Sequence, residues 1–101
     1  MALRLRNTWR NKGGGWWEWR AFIDDEGSGE LAQVDHVEYV LHPTFPNSIR
    51  KVDNPRGGFA LETAGWGVFE LKAFVHMKNG KKEKLTHILE LSTYPPEGVS
   101  N

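Results

Sequence analysis

Apolar and polar residues alternate along most of this chain, and no stretch repeats its apolar residues at helical spacing. In "LRLRNTW", Leu3, Leu5 and Trp9 fall on one parity, with Arg4, Arg6 and Arg10 on the other. "WWEWRAFI" sets Trp17, Trp19, Ala21 and Ile23 against Glu18 and Arg20, and "VEYVL" aligns Val37, Tyr39 and Leu41. The longest case is "VFELKAFVHM", where Phe69, Leu71, Ala73, Val75 and Met77 oppose Glu70, Lys72 and His76. In "EKLTHILEL", Leu85, Leu89 and Leu91 keep phase with His87. A period of two puts alternate side chains on opposite faces of a strand, so each stretch reads as a half-buried strand. The parity predicts that Phe69, Leu71, Val75, Leu89 and Leu91 are buried.

Polar, glycine-containing segments punctuate these strands. "DDEGSGE" (24–30) reads as a hairpin loop and "NG" (79–80) as a two-residue turn, while "NKGGG" (11–15) reads as a flexible loop. Residues 42–58 read as one long irregular crossover. Two prolines in "YPPEGVSN" remove ladder donors, which predicts a flexible tail over 95–101 after a single domain spanning 1–94. Short strands and tight turns at 101 residues point to an all-β, immunoglobulin-like antiparallel β-sandwich.

The remaining composition removes several function classes. Thirteen basic and thirteen acidic residues cancel, which argues against direct nucleic-acid binding. No apolar run approaches a membrane span and "MALRLRNTWR" is too charged for a secretory signal, so the expected setting is intracellular, without membrane insertion. With no cysteine there is no disulfide, thiol nucleophile or thiolate metal site. His36, His42, His76 and His87 show no zinc-ligand spacing, so no metal and no cofactor is expected. Asp24, Asp25 and Glu26 lack the alternating ligands of a calcium loop and read as a solvated turn. "GGG" lacks the lysine and hydroxyl of a phosphate loop, and no nucleophile elbow is present. Thr44 near His42 has no orienting acid, so no catalytic residue is assigned and the chain reads as a binding module, not an enzyme. Lys78, Lys81, Lys82 and Lys84 surround a hairpin tip, where charge serves solubility.

Two loops carry aromatics that a small core does not need. "LHPTF" places His42, Thr44 and Phe45 between stiffening prolines, and "GWG" brackets Trp66 with Gly65 and Gly67. Two ring faces held on separate loops make a slot for a flat group, with a hydroxyl and an imidazole nearby to orient it. Trp16, Trp17 and Trp19 offer a rival reading, a stacking platform for carbohydrate.

"VEYVLHPTF", the Pro55 to Phe59 segment, "GWGVF" and the closing "HILEL" together resemble the YEATS domain family, over roughly residues 17–91 and with its prokaryotic branch in particular. The resemblance implies a reader of acyl-lysine, acetyl or crotonyl, on a peptide or protein partner. It implies that Phe45 and Trp66 flank the acyl amide, that Thr44 bonds it, and that the Trp66 N–H meets the acyl carbonyl. His42 would support the pocket, Gly65 and Gly67 would shape the second loop, and Trp16 or Trp17 would supply a further aromatic. Val68 departs from the glutamate that many members carry after the glycine. In such a prokaryotic protein the setting would be cytoplasmic; in a eukaryotic one, nuclear. The alternative is an adaptor sandwich in a prokaryotic signalling assembly, without acyl-lysine activity.

Overall fold

A computed structural model describes residues 3–100, so Met1 and Ala2 of the expected domain and Asn101 of the expected tail lie outside the described residues. Among the described residues the strands form two four-stranded sheets, and every pairing is antiparallel. In the first, β1 (Arg4–Gly13) and β2 (Trp16–Asp24) form a hairpin flanked by β5 (Leu61–Gly65) and β8 (Glu97–Val99), in the order β5-β2-β1-β8. The second contains β3 (Val34–Val40), β4 (Ile49–Val52), β6 (Glu70–Met77) and β7 (Lys82–Ile88), in the order β4-β3-β6-β7. This is the expected all-β, immunoglobulin-like sandwich.

Parity decides what lies between the sheets. Ala21, Ile23, Val37, Tyr39, Leu71, Ala73 and Val75 are buried, joined by Leu3, Leu5, Trp19 and Leu89. Phe69 and Leu91 are half-buried and pack against this core instead of lying inside it. Tyr39 is sealed in, and its hydroxyl donates to the Phe59 carbonyl at 2.6 Å. Its burial raises the phenol pKa well above the usual value. The turn before β5 explains "NPRGGF": a Cβ on Gly58 would lie 2.3 Å from the Ile23 carbonyl oxygen, and Gly58 has φ +81°. Only glycine fits there.

Several connectors differ from their sequence reading. The 24–30 segment is no hairpin loop, because β2 and β3 belong to different sheets; it crosses the sandwich and continues into a 3-10 turn at Glu30–Gln33. The Asp25 carboxylate braces it by accepting from the N–H groups of Gly27 and Leu31. Residues 11–15 are largely ordered by pairing, since β1 runs on to Gly13 and meets Trp16. The 42–58 crossover contains β4, paired with β3. At 79–80 the loop is one residue longer than expected: Met77 N–H donates to Lys81 O at 2.8 Å, and Gly80 closes the turn at φ +91°.

The largest correction concerns the C-terminus. The prolines interrupt pairing, but the chain resumes it as β8 alongside Thr8, Trp9 and Arg10. A proline deletes only its own donor, and the carbonyls of Pro95 and Pro96 still accept from Trp9 Nε1 and Asn11 N–H. Buried Ser100 exchanges two hydrogen bonds with Asn7, through Ser100 Oγ and Asn7 O. Residues 97–100 therefore complete the sandwich, and the predicted loose tail over 95–101 is not what the described residues form.

Candidate functional site

Antiparallel pairing of β3 with β6 puts the loop after β3 beside the loop that enters β6. These are the "HPTF" and "GWGVF" segments, brought to one end of the sandwich from 20 residues apart in sequence. His42, Thr44, Phe45, Gly65, Trp66 and Gly67 line one cavity of about 80 Å³, together with Val68 and Phe69. That is far below the roughly 300 Å³ at which drug-sized ligand pockets begin, so it suits a small planar group.

The first loop is internally braced. Phe45 N–H donates to His42 O at 2.9 Å, closing a turn over 42–45. Thr44 N–H donates to His42 Nδ1 at 3.2 Å, so this nitrogen carries a lone pair. Thr44 Oγ1 lies 2.9 Å from the same Nδ1 and must therefore be the donor. The consequence is chemical: the Thr44 hydroxyl spends its proton on His42 and keeps its own lone pairs for an incoming N–H.

Phe45 and Trp66 play unequal parts. Phe45 is half-buried, edge-on to Trp19 at 6.4 Å and tilted on Phe69 at 5.5 Å. Trp66 is 72% exposed and, among the described residues, has no ring contact with Phe45. One wall is thus fixed by the core and the other stands in solvent. A Cβ on Gly65 would touch the Phe45 ring at 3.4 Å, whereas one on Gly67 would meet nothing within 4 Å. Gly65 makes room for Phe45, and Gly67 leaves the approach to Trp66 open.

The sequence reading assigns Phe69 to the core and Trp19 to a strand or a stacking platform, and gives neither to the slot; both support it from beneath. Trp19 packs edge-on to Phe69 at 6.0 Å, and its buried Nε1 has no hydrogen-bond partner among the described residues. The usable signal was proximity in sequence, because Phe69 follows Trp66 by three residues and points inward by parity. Trp16 is not among the cavity-lining residues; it pairs with Gly13 at the start of β2 and is 45% exposed. Nor do the tryptophans form a platform. Trp19 is buried, and Trp17 is half-buried with its Nε1 donating to Ser92 O at 2.9 Å.

A broader depression of about 900 Å³ lies over the outer face of the first sheet. Arg10, Glu18, Arg20, Glu62 and Glu97 share it, so its charge is largely self-compensated and it shows no convergent apolar floor.

The chain is similar to known proteins over most of its length. The prokaryotic YEATS domain profile matches residues 17–90. A Protein AF-9 homolog from Eremothecium gossypii is 34% identical over 83 residues, covering 78% of this chain and 39% of the relative. The chain thus spans about two fifths of that relative's length. Transcription initiation factor TFIID subunit 14 of Schizosaccharomyces pombe is 37% identical over 57 residues, covering 55% of this chain and 23% of that protein. The crystal structure of the Yaf9 YEATS domain bound to acetylated histone H3 superposes with a TM-score of 0.75 at 25% identity, over 97% of this chain and 78% of that one.

Proposed function

The chain belongs to the YEATS domain family, in its prokaryotic branch, and on that premise we propose that it is a non-enzymatic module binding acyl-lysine on a protein partner in the cytoplasm. The observation that carries this reading is the convergence of His42, Thr44, Phe45, Gly65, Trp66 and Gly67 on one small cavity. The likeness to a YEATS domain bound to acetylated histone H3 supports the same ligand class.

The chemistry of the lining favours an acylated over a free lysine. Among the described residues no carboxylate lines the cavity, so an entering ammonium would lose water without gaining a counter-charge. An acyl amide is neutral and offers one donor and one acceptor. Its N–H meets the lone pairs of Thr44 Oγ1, its carbonyl meets the Trp66 N–H, and its apolar tail lies between Phe45 and Trp66. A crotonyl amide extends the planar system and stacks over more ring surface than acetyl. Stacking adds on the order of 1 kcal/mol beyond area burial, so the preference is modest. Binding is weak overall, because one small slot must offset the cost of association.

A second reading rests on the exposure of Trp66 at 72% and Val68 at 59%, which suits a flat adaptor contact. Titration of acetylated, crotonylated and unmodified lysine peptides, followed by amide chemical shifts, separates the two. Acyl-dependent shifts at residues 42–45 and 65–69, lost in Trp66→Ala and in Phe45→Ala, support the reader. Equal responses to all peptides, or none at millimolar peptide with the fold intact, remove acyl-lysine as the ligand.

A further inference from the structure

Two histidines that no sequence spacing connects meet across the β3–β6 pairing. His36 and His76 are register partners, and their rings stack at 4.2 Å with 12° between planes. Glu38, two residues along β3 on the same outward face, sets Oε1 2.6 Å from His76 Nε2. One ligating atom from each of His36, Glu38 and His76 lies within 4.8 Å of the others. We infer that these three side chains form a divalent-metal site of the zinc class on the outer face of the second sheet.

The donor set fits that class. Two imidazoles and a carboxylate, with no thiolate, suit a borderline ion such as Zn²⁺, and three protein ligands leave a position for water. The side chains are partly sheltered, at 19% exposure for His36, 27% for His76 and 38% for Glu38. They stand on paired strands, so little ordering is needed to bind.

A backbone irregularity strengthens the case. Val34 pairs with Met77 and His36 with His76, so β3 carries one extra residue here. Val34 and Val37 are both buried, and the bulge places Asp35 and His36 together between them. The Asp35 carboxylate accepts from His36 Nδ1–H at 2.7 Å. An aspartate can only accept, so the proton sits on Nδ1 and the Nε2 lone pair is left for a metal. A carboxylate behind a ligating imidazole is the usual support of such a ligand. His76 gives up its hydrogen bond to Glu38 when both turn to the ion. Lys51 and Lys82 are the register partners of Glu38 and His76, and their charge tempers the affinity. His36 and Glu38 stand on β3 and His42 lies in the loop beyond its end, and the slot-lining residues include none of the three ligands, so the site is separate from the slot.

Titrating the metal-free chain with Zn²⁺ by calorimetry, while following histidine ring ¹⁵N signals, tests the site. We expect saturable uptake of one ion, with shifts at His36 and His76 and none at His42 or His87. His36→Gln and His76→Gln should each weaken binding by about 100-fold, and Asp35→Asn by about 10-fold, as removal of supporting partners does elsewhere. Glu38→Gln changes one ligand with little change in shape and guards against a folding artefact. Non-saturable uptake overturns the proposal, as does undiminished binding in the His36→Gln/His76→Gln double variant or a response centred on His42 or His87.

Discussion

At the residue scale, the slot depends on side chains that serve the core and the site together. Phe69 contacts Trp19, Phe45 and His42 by its ring, at 6.0, 5.5 and 6.1 Å, and so couples sandwich packing to the posture of the first loop. Because it is half-buried, Phe69→Ala should cost about 2 kcal/mol, below the roughly 3–5 kcal/mol of a sealed phenylalanine. Urea denaturation measures this, and a near-zero change would mean that Phe69 does not support the core. Acyl-peptide response should fall in the same variant, since Phe45 loses its backing. Thr44 illustrates what the sequence alone could not supply. Its hydroxyl was legible as a candidate, but its donor role is fixed by two bonds converging on one imidazole nitrogen.

At the element scale, strand identity was readable from parity, while pairing partners and termini were not. Alternation marked β1, β2, β3, β6 and β7 because a buried face leaves its imprint on every second residue. β4 was missed because "IRKV" is an edge strand with little buried surface, and β8 because it is short and glycine-centred behind two prolines. The metal-ligand cluster escaped for another reason: its residues converge through cross-strand register, which local spacing does not encode. β8 owes its place to a buried polar contact, so Ser100→Ala should strand the Asn7 N–H and cost about 1–3 kcal/mol. A thermal melt unchanged from the parent would show that water replaces the hydroxyl. The basic hairpin tip is less uniform than its composition implies. Lys82 lies 5.4 Å over the Phe74 ring, so Lys82→Ser should cost about 0.5–1 kcal/mol. Lys81→Ser at the exposed tip should cost less than about 0.5 kcal/mol. Equal effects at the two positions would count against the ring contact.

At the scale of the whole molecule, a formal charge of zero hides an asymmetric response to acid. Asn7 is the node that ties the two sheets together: its Oδ1 accepts from Glu90 N–H at 3.0 Å and lies 2.7 Å from His87 Nε2. His87 must be the donor in that pair, which neutral imidazole satisfies. Burial holds its pKa below the ordinary histidine value, against a smaller opposing pull from Glu90. The unfolded chain therefore takes up this proton first, and stability declines as pH drops below about 6.5, flattening once the folded form is protonated as well. The Asp24 pKa is lowered in the same direction, by hydrogen bonding and charge instead of burial. The Glu26 N–H and then the Arg6 guanidinium hold its carboxyl below the usual range, so its contribution is complete above about pH 4 and lost as pH falls further. Urea midpoints measured across pH should show two separate losses on acidification. His87→Gln keeps an N–H donor for Asn7 but cannot titrate, so it should remove the upper step and leave the lower one. An upper step that persists in His87→Gln would assign the near-neutral proton to another histidine and leave the Asn7 junction insensitive to pH.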